Sequence, residues 1–533
     1  MVLGWGSMRR VRVGLVALIL SGAGCAMIGP DFHRPTAPVA KQWLESNQTE
    51  VDSSHPEYRN WWRVFHDLTL TRLVDSAYQQ NLSLRSAGLR VLEARAQLGI
   101  AIGGFYPHQQ VVSSSLNYNH LPVALPYNLS NPTYWGTSFG AQAAWELDLW
   151  GKLRRNIESA DLNYLASVAN YDAVLVSLTG DIATTYVQVR VLQAQMQIAR
   201  ANLAKQREAL QIASARFHWG TATELDVDQA ENVLGVTEAT IPELNIQLEH
   251  ARDMLSVLLG VPPAPLEELL GGPGKIPIAP ARAAVGIPAD LLTRRPDVQK
   301  AELDAAAQCA KIGVAKSDLL PALSLTGTVG TVATNIGSAG LGNVFNGNSL
   351  FYTVGPAVQW NLLNYGRITN NVRLQDATFE QALVDYQNTV LKAQQEVEDG
   401  LTMFVESRKQ AAALKTSVAA AQRALKISLI QYTEGTVDFT TVLNAEQNLY
   451  QAQNNLAATM GNIPLGVIAA YRALGGGWQI REDQNFVPPA TRAEMAARTN
   501  WGTLLSPVDL LKPKAAGLPS TNDTGPLVRP PEW

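Results

Sequence analysis

Apolar residues recur at alternating three- and four-residue steps through a long stretch of each half of the chain. In the first half the series is Ile157, Ala160, Tyr164, Val168, Tyr171, Leu175, Leu178, Ile182, Tyr186, Val189, Leu192 and Met196. This spacing places an apolar stripe along one face of an α-helix for about eleven turns. Proline is absent from 151–219 and from 366–434. The pattern therefore predicts two helical rods over these ranges, each roughly 100 Å long.

A two-residue alternation of apolar and small polar side chains precedes each rod. The alternating segments are 111–118, 137–149, 322–329 and 351–362. This period predicts β-hairpins over 109–149 and 321–363, with an apolar face and a polar face. The strand lengths suit a membrane crossing, although a hairpin on a soluble protein has the same alternation. Because four strands cannot close a barrel, strands that cross a membrane would have to be pooled between subunits.

The chain aligns with itself at an offset of 215 residues. The segment WELDLWGK at Trp145 pairs with WNLLNYGR at Trp360, and a Gly-Thr pair recurs after each rod. This register indicates a duplicated unit of helix, hairpin, rod and return helix. The predicted parts are a first repeat 68–260 with return helix 221–259, a linker 261–290, a second repeat 291–478 with return helix 436–474, and an irregular proline-rich tail 479–533. Pro242 predicts a kink or a break in the first return helix.

The N-terminus has the pattern of a secretory signal over 1–24. Three arginines precede a short apolar run that is too short to span a bilayer, and small residues follow. Cys25 directly after them resembles a bacterial lipoprotein cleavage site, although Gly22 stands where leucine is usual. An ordinary cleaved signal with an incidental cysteine is the alternative. We expect a lipid-anchored segment 25–67, and Ala26 favours the outer membrane over retention at the inner membrane.

Composition excludes several classes of protein. Hydrophobic residues make up 46% of the chain, charged residues 17%, and the net charge is −4 without a long run of lysine and arginine, so binding to nucleic acid, which needs a basic patch, is unsupported. Two cysteines provide neither a disulfide framework nor a zinc cluster, and Cys309 is expected to be a small core residue. The seven histidines lack metal-binding spacing, and no phosphate-binding glycine loop follows a strand. We therefore expect no metal, no cofactor and no enzymatic activity.

Several motifs resemble the TolC-like outer-membrane efflux factors. They are CAMIGPDFHRP at Cys25, IPADLLTRRPDV at Ile287, LPALSLTG at Leu320, NYGR at Asn364 and ALGGGW at Ala473. On these motifs the chain is identified as a member of that family, as the lipoprotein outer-membrane component of an RND-type tripartite efflux pump. The resemblance implies an α+β membrane protein. It would be a homotrimer whose twelve-stranded outer-membrane β-barrel, with four strands per chain, continues into a long periplasmic α-helical barrel.

The resemblance also implies the function and the partners. The chain would be an outer-membrane exit duct that passively conducts substrates from an inner-membrane RND-type pump and a periplasmic adaptor protein to the exterior, in contact with outer-membrane lipid. Two alternatives stay open: the outer-membrane component of a type I secretion system, and a secreted coiled-coil structural lipoprotein. Trp61 and Trp62 would pack in the equatorial belt of the duct or anchor it to lipid.

The ends of the rods are the candidate docking tips. Glycine permits the positive φ of a helix-ending turn, and threonine is expected to cap the returning helix. The resemblance implies that these turns meet the periplasmic adaptor. The residues concerned are Arg216, Gly220, Thr221, Gly435 and Thr436.

A constriction is expected just beyond the tips. The resembling family commonly has an aspartate before Ala445 that helps to hold the duct closed, whereas this chain has Asn444 there, with Gln229 as its repeat counterpart and Thr440 one turn earlier. Our hypothesis is that closure relies on Asp226, Asp438 and neutral hydrogen bonds. The alternative for Asp226 is that it belongs, with neighbouring Glu224 and Asp228, to a polar first helical turn stabilised by the helix dipole.

Overall fold

The computed structural model describes residues 27–54, 57–122, 133–272, 274–336, 340–482 and 484–505. The signal segment and Cys25 lie outside the described residues. The α-helices of ten or more residues are α1 Leu68–Gln80, α2 Leu82–Gly103, α3 Lys152–His218, α4 Glu224–Leu259, α5 Pro296–Ser317, α6 Arg367–Thr433, α7 Phe439–Ala473 and α8 Pro489–Arg498. The main strands are β1 Gln109–His120, β2 Thr133–Leu147, β3 Ala322–Thr334 and β4 Leu350–Gln359.

Two continuous helices, α3 and α6, form the rods, and each is 67 residues long. Most of the apolar stripe of α3 is buried, with Leu175 and Ile182 fully covered. Each rod starts after a glycine in the left-handed region, Gly151 at φ 77° and Gly366 at φ 82°. The three- and four-residue spacing therefore marks the buried face of α3, and these glycines turn the chain from the strands into the rods.

The four main strands form one antiparallel sheet in the order β1-β2-β3-β4. Residues paired across the sheet share a face, so the register separates two surfaces. One row of partners is Val112, Ala141, Val329 and Tyr352; the neighbouring row is Val111, Gln142, Thr328 and Thr353. Ser115 and Ser138 form a hydroxyl–hydroxyl hydrogen bond of 2.8 Å on the second face. The sheet thus has an apolar face and a more polar face, and β2 pairs with β3 to join the two halves of the chain.

The largest core lies between the sheet and the distal ends of the rods. Trp61 is fully buried and Trp62 almost so, and Trp61 stacks on Tyr471 with ring centroids 5.9 Å apart and planes 10° apart. Cys309 on α5 is also buried. The tryptophan pair therefore packs inside this belt rather than projecting from it.

The first part of the C-terminal tail is ordered, which corrects the expectation of an irregular segment from residue 479. Helix α8 begins with a proline at its first turn, a position that tolerates the missing N–H, and buries Met495. The Arg481 guanidinium pairs with the buried Asp172 carboxylate of α3, with Nη2 to Oδ2 at 2.7 Å. Phe486 packs edge-on against Tyr171 at 4.9 Å. These contacts hold the segment to the first rod although it is rich in proline.

The return helices α4 and α7 start later than the sequence indicated, at Glu224 rather than 221 and at Phe439 rather than 436. The intervening residues form the turns described below. Pro242 lies inside α4 without ending it. Within the described residues, no helix combines the length and the apolar character needed to cross a membrane.

Candidate functional site: the tip of the two rods

The two rods end in the same hydrogen-bonded turn. Gly220 has φ 71° and Gly435 has φ 78°, and each is followed by a threonine whose N–H reaches back five residues. The bonds are Thr221 N to Arg216 O at 2.8 Å and Thr436 N to Gln431 O at 2.9 Å. This pattern is a Schellman closure, in which a left-handed glycine satisfies the last carbonyls of a helix. The glycines therefore occupy the backbone conformation that the sequence predicted.

The tip threonines do not cap the returning helices, which corrects that expectation. Thr221 Oγ1 donates to the Arg216 carbonyl at 3.0 Å, and Thr436 Oγ1 donates to the Gln431 carbonyl at 3.0 Å. Both hydroxyls thus reinforce the end of the preceding rod. The N-cap positions of α4 and α7 are instead Thr223 and Asp438. The reason is the length of the turn: two further residues separate each threonine from the next helix.

Arg216 connects the ends of the two rods. Its guanidinium carbon lies 4.5 Å from the ring centroid of Tyr432 on α6, and its Nη2 donates to the Thr221 carbonyl at 3.2 Å. Tyr432 is buried, and its ring centroid lies 4.9 Å from that of Phe439, the first residue of α7. A cation over an aromatic face is attracted by the ring's electron density. Arg216, Tyr432 and Phe439 therefore form one stack through three helices, which we call the tip stack.

Asp226 lies in the first turn of α4, next to this stack. Its Oδ2 accepts from the Thr223 N–H at 3.3 Å, so the carboxylate helps to satisfy an unpaired amide at the helix start. Burial raises the pKa of the Tyr432 phenol, and the Asp226 charge raises it further. Asp226 therefore stabilises the start of its own helix and lies within electrostatic range of the second rod, and its place at a constriction stays a prediction.

The other predicted constriction residues divide into two groups. Asp438, Thr440 and Asn444 are exposed near the start of α7, and Thr440 and Asn444 are one helical turn apart on one face. Gln229 on α4 differs, because its Oε1 is buried and has no hydrogen-bond partner within the described residues. Thr440 and Asn444 therefore form a neutral polar face on α7, whereas the side-chain oxygen of Gln229, the repeat counterpart of Asn444, is buried.

Glu446 is a residue at this site that sequence reasoning missed. It lies on α7 with 3% of its surface exposed, and burial raises the pKa of its carboxyl to about 7, against an opposing effect of Lys205. A signal was present: Phe439, Val442, Glu446 and Leu449 follow the three- and four-residue spacing of a buried helix face. A glutamate in an apolar stripe position is a candidate for a buried carboxyl.

The fold is that of solved outer-membrane channels. The solved structure reported as the outer-membrane channel OprN superposes with a TM-score of 0.79 at 31% identity, covering 85% of this chain and all of that chain. The chain belongs to the outer membrane efflux protein family, whose model matches residues 73–261 and 287–476.

Two curated relatives show the breadth of this family. Nodulation protein T of Rhizobium leguminosarum bv. viciae is 30% identical over 88% of this chain and 94% of the relative. The cation efflux system protein CusC of Escherichia coli O6:H1 is 28% identical over 87% of this chain and 98% of the relative. This chain is accordingly an outer-membrane efflux protein.

Proposed function

We propose that three copies of this chain form a passive exit duct for a tripartite efflux system, receiving substrate from an inner-membrane RND-type pump through a periplasmic adaptor. One observation carries the proposal: a sheet with one apolar and one polar face continues directly into two 67-residue rods. Such a sheet suits a wall between lipid and water. Rods of roughly 100 Å suit a conduit that extends far from that wall.

The edges of the sheet support the proposed assembly. Among the described residues, the outer strands β1 and β4 have no partner along their outer edges. Unpaired backbone groups are not tolerated in lipid, so these edges must pair with other subunits. Three chains supply twelve strands, the number implied by the resemblance, with β4 of one subunit beside β1 of the next.

The tip is the proposed contact with the adaptor and the proposed resting constriction. Three subunits bring six Schellman turns, at Gly220 and Gly435 of each chain, around one opening. The exposed face formed by Thr440 and Asn444 is neutral, so these two residues cannot hold the duct closed through ion pairs. Asp226 in the first turn of α4 and Asp438 at the N-cap of α7 provide acidic groups at the starts of the two return helices. This arrangement supports our hypothesis of a constriction held by neutral hydrogen bonds and a few carboxylates.

A lipid anchor at Cys25 would fix the start of the mature chain in the outer membrane. Two or three acyl chains, at about 0.8 kcal/mol for each buried CH₂, are enough for stable anchoring. Replacing Cys25 with serine should abolish labelling by radioactive palmitate while some membrane association persists through the sheet. Unchanged labelling of the variant would contradict lipidation at this residue.

Electrical recording tests the duct itself. The purified protein in a planar bilayer should give discrete conductance steps, and Asp226→Ala should increase the conductance because a group at the constriction is removed. No increase in this variant would remove Asp226 from the constriction. A protein that gives no conductance steps and is extracted without detergent would instead fit a secreted coiled-coil lipoprotein.

A further inference from the structure

Glu446 is buried in the apolar cluster beneath the tip. Its neighbours along α7 include Val442, Leu443 and Leu449, which belong to a cluster that also contains Ala213 of the first rod and Leu425 of the second. The Oε1 atom of Glu446 is shielded from solvent and, within the described residues, has no hydrogen-bond partner. An ionised carboxylate in such surroundings lacks the donors that would offset its lost hydration.

The charged groups around Glu446 do not supply those donors. Lys205 on α3 is the cation that acts on its carboxyl, and its effect is smaller than that of burial. Other charged side chains near the same level of the helices are exposed to water. They are Arg207 and Glu208 on α3, Glu231 on α4, and Arg423 and Lys426 on α6.

Two further side-chain oxygens on the helices beneath the tip are buried and have no hydrogen-bond partner in the part of the chain that the structure describes. They are Oε1 of Gln206 on α3 and Oε1 of Gln229 on α4. Gln206 lies about one helical turn from the level of Glu446, because the 2.8 Å bond from Asn202 Nδ2 to Gln453 Oε1 sets the register of α3 and α7 and brings Gln206 level with Leu449. Three buried side-chain oxygens beneath the tip therefore have no donor among the described residues, and a proton on the Glu446 carboxyl would add one donor.

We propose that Glu446 is a proton-binding site that couples closure of the tip to pH. The proposal rests on the proposed function, in which α7 forms part of the closed tip. With the proton bound, the neutral carboxyl packs in the apolar cluster and α7 lies against both rods. When the proton leaves to periplasmic water, the carboxylate favours conformations in which it reaches solvent. Those conformations require the tip end of α7 to move away from the rods.

The direction of the pH effect follows from the two protonation equilibria. In the closed tip the pKa of Glu446 is raised to about 7, whereas a solvated glutamate has its ordinary value of 4.5. Below the lower value both states hold the proton and closure is at its strongest. As pH rises from there through about 7, the closed state becomes less favoured. The closed-to-open ratio should fall by up to about 10²-fold per subunit over this interval.

The repeat provides a matched control. Glu231 occupies the position 215 residues earlier, after the same alanine, but it is exposed on α4. Glu446→Gln keeps the shape of the protonated side chain and removes the titration, and Glu231→Gln makes the same chemical change in water. Lys205→Gln removes the cation that lowers the Glu446 pKa, so it should move the transition to higher pH.

Hydrogen exchange of the detergent-solubilised full chain between pH 5 and 8.5 is the first test. After correction for the intrinsic pH dependence of exchange, the backbone amides of residues 439–449 should exchange faster as pH rises, both in the parent and in Glu231→Gln. They should stay protected in Glu446→Gln, and the midpoint should rise in Lys205→Gln. Equal pH profiles of exchange in the parent and in Glu446→Gln would overturn the proposal. If Glu446→Gln does not assemble, the Lys205→Gln variant decides: an unchanged midpoint of its pH profile would also overturn the proposal.

Conductance separates this inference from the proposed function. Single-channel conductance should rise with pH in the parent and remain low and flat in Glu446→Gln. A parent that conducts with the same pH dependence as Glu446→Gln contradicts the proton site but leaves the duct intact. A parent that never conducts contradicts the duct, and hydrogen exchange then still decides whether Glu446 controls the opening of α7.

Discussion

The two return helices start from equivalent turns but are packed differently. Helix α7 begins with the buried Phe439 and packs against both rods, whereas α4 begins with the exposed Glu224 and packs mainly against the first rod. Eight positions into each helix the contrast recurs, with Glu446 buried and Glu231 exposed. The turns before α4 and α7 therefore have the same backbone conformation, but the two helices that follow them are packed differently. The second half of the chain supplies the inner contacts of the tip, and the first half supplies more of its exposed surface.

The largest effect should come from the aromatic residue at the start of α7. Phe439→Ala removes a fully buried ring from the tip stack, and such truncations typically cost about 3–5 kcal/mol. We expect the local opening free energy of the helix ends near the tip to fall by this order, measured by hydrogen exchange. Glu224→Ala at the equivalent position of α4 is the control and should change exchange little. Similar losses in the two variants would show that the return helices are packed alike.

An intermediate effect is expected at the tip glycines. Gly220→Ala and Gly435→Ala each force a side chain into the left-handed region, at a cost of about 1–2 kcal/mol. A Cβ at Gly220 would meet no atom within 4 Å, and one at Gly435 would lie 3.4 Å from the Arg216 guanidinium. The two losses should therefore be nearly equal in hydrogen exchange of the rod ends. A clearly larger loss at one tip would mean that the turns themselves, and not only the packing, differ.

A bulkier side chain at the second tip tests docking separately from stability. Gly435→Trp should reduce efflux and capture of the periplasmic adaptor while the trimer persists, because the turn is exposed at the proposed contact. Efflux of a fluorescent substrate from cells and co-purification of the adaptor measure the two effects. Full efflux with normal adaptor capture would place the docking surface elsewhere.

The smallest effect is expected at the cation of the tip stack. Arg216→Gln installs the residue found at the equivalent position, Gln431, and removes the guanidinium from the Tyr432 ring. Contacts of this kind contribute about 0.5–1 kcal/mol at exposed sites. Hydrogen exchange of the second rod's end should increase slightly, whereas Gln431→Ala should leave it unchanged. An equal response to both substitutions would mean that Arg216 does not join the two rods.

Local pattern was sufficient to predict the parts of the molecule that repeat. The apolar spacing predicted the rods, the alternation predicted the strands, and the glycines at 220 and 435 predicted the turns, because each of these depends on neighbouring residues. The starts of the return helices were misplaced by three residues, since threonine can close the preceding helix as well as cap the following one. Thr221 and Thr436 do the former.

Contacts between distant parts of the chain explain what the pattern did not predict. Arg481 and Asp172 are 309 residues apart in the sequence, and local composition gives no sign that they form an ion pair. The proline content of the tail therefore suggested an irregular segment, whereas this ion pair holds the first part of the tail to the first rod. The burial of Glu446 likewise depends on two rods and on the return helix that carries it. Its place in an apolar stripe was visible, but the exposure of Glu231 in the same motif shows that the motif alone does not determine burial.

The mass of the detergent-solubilised particle tests the central claim most directly, because a duct requires the open sheets of several chains to be pooled. Light scattering with correction for bound detergent should give three mature chains per particle, each derived from the 57.7 kDa sequence, with β-structure retained in the circular dichroism spectrum. A monodisperse monomer with the same β-structure would contradict the account, because its sheet would keep two unpaired edges in a nonpolar environment.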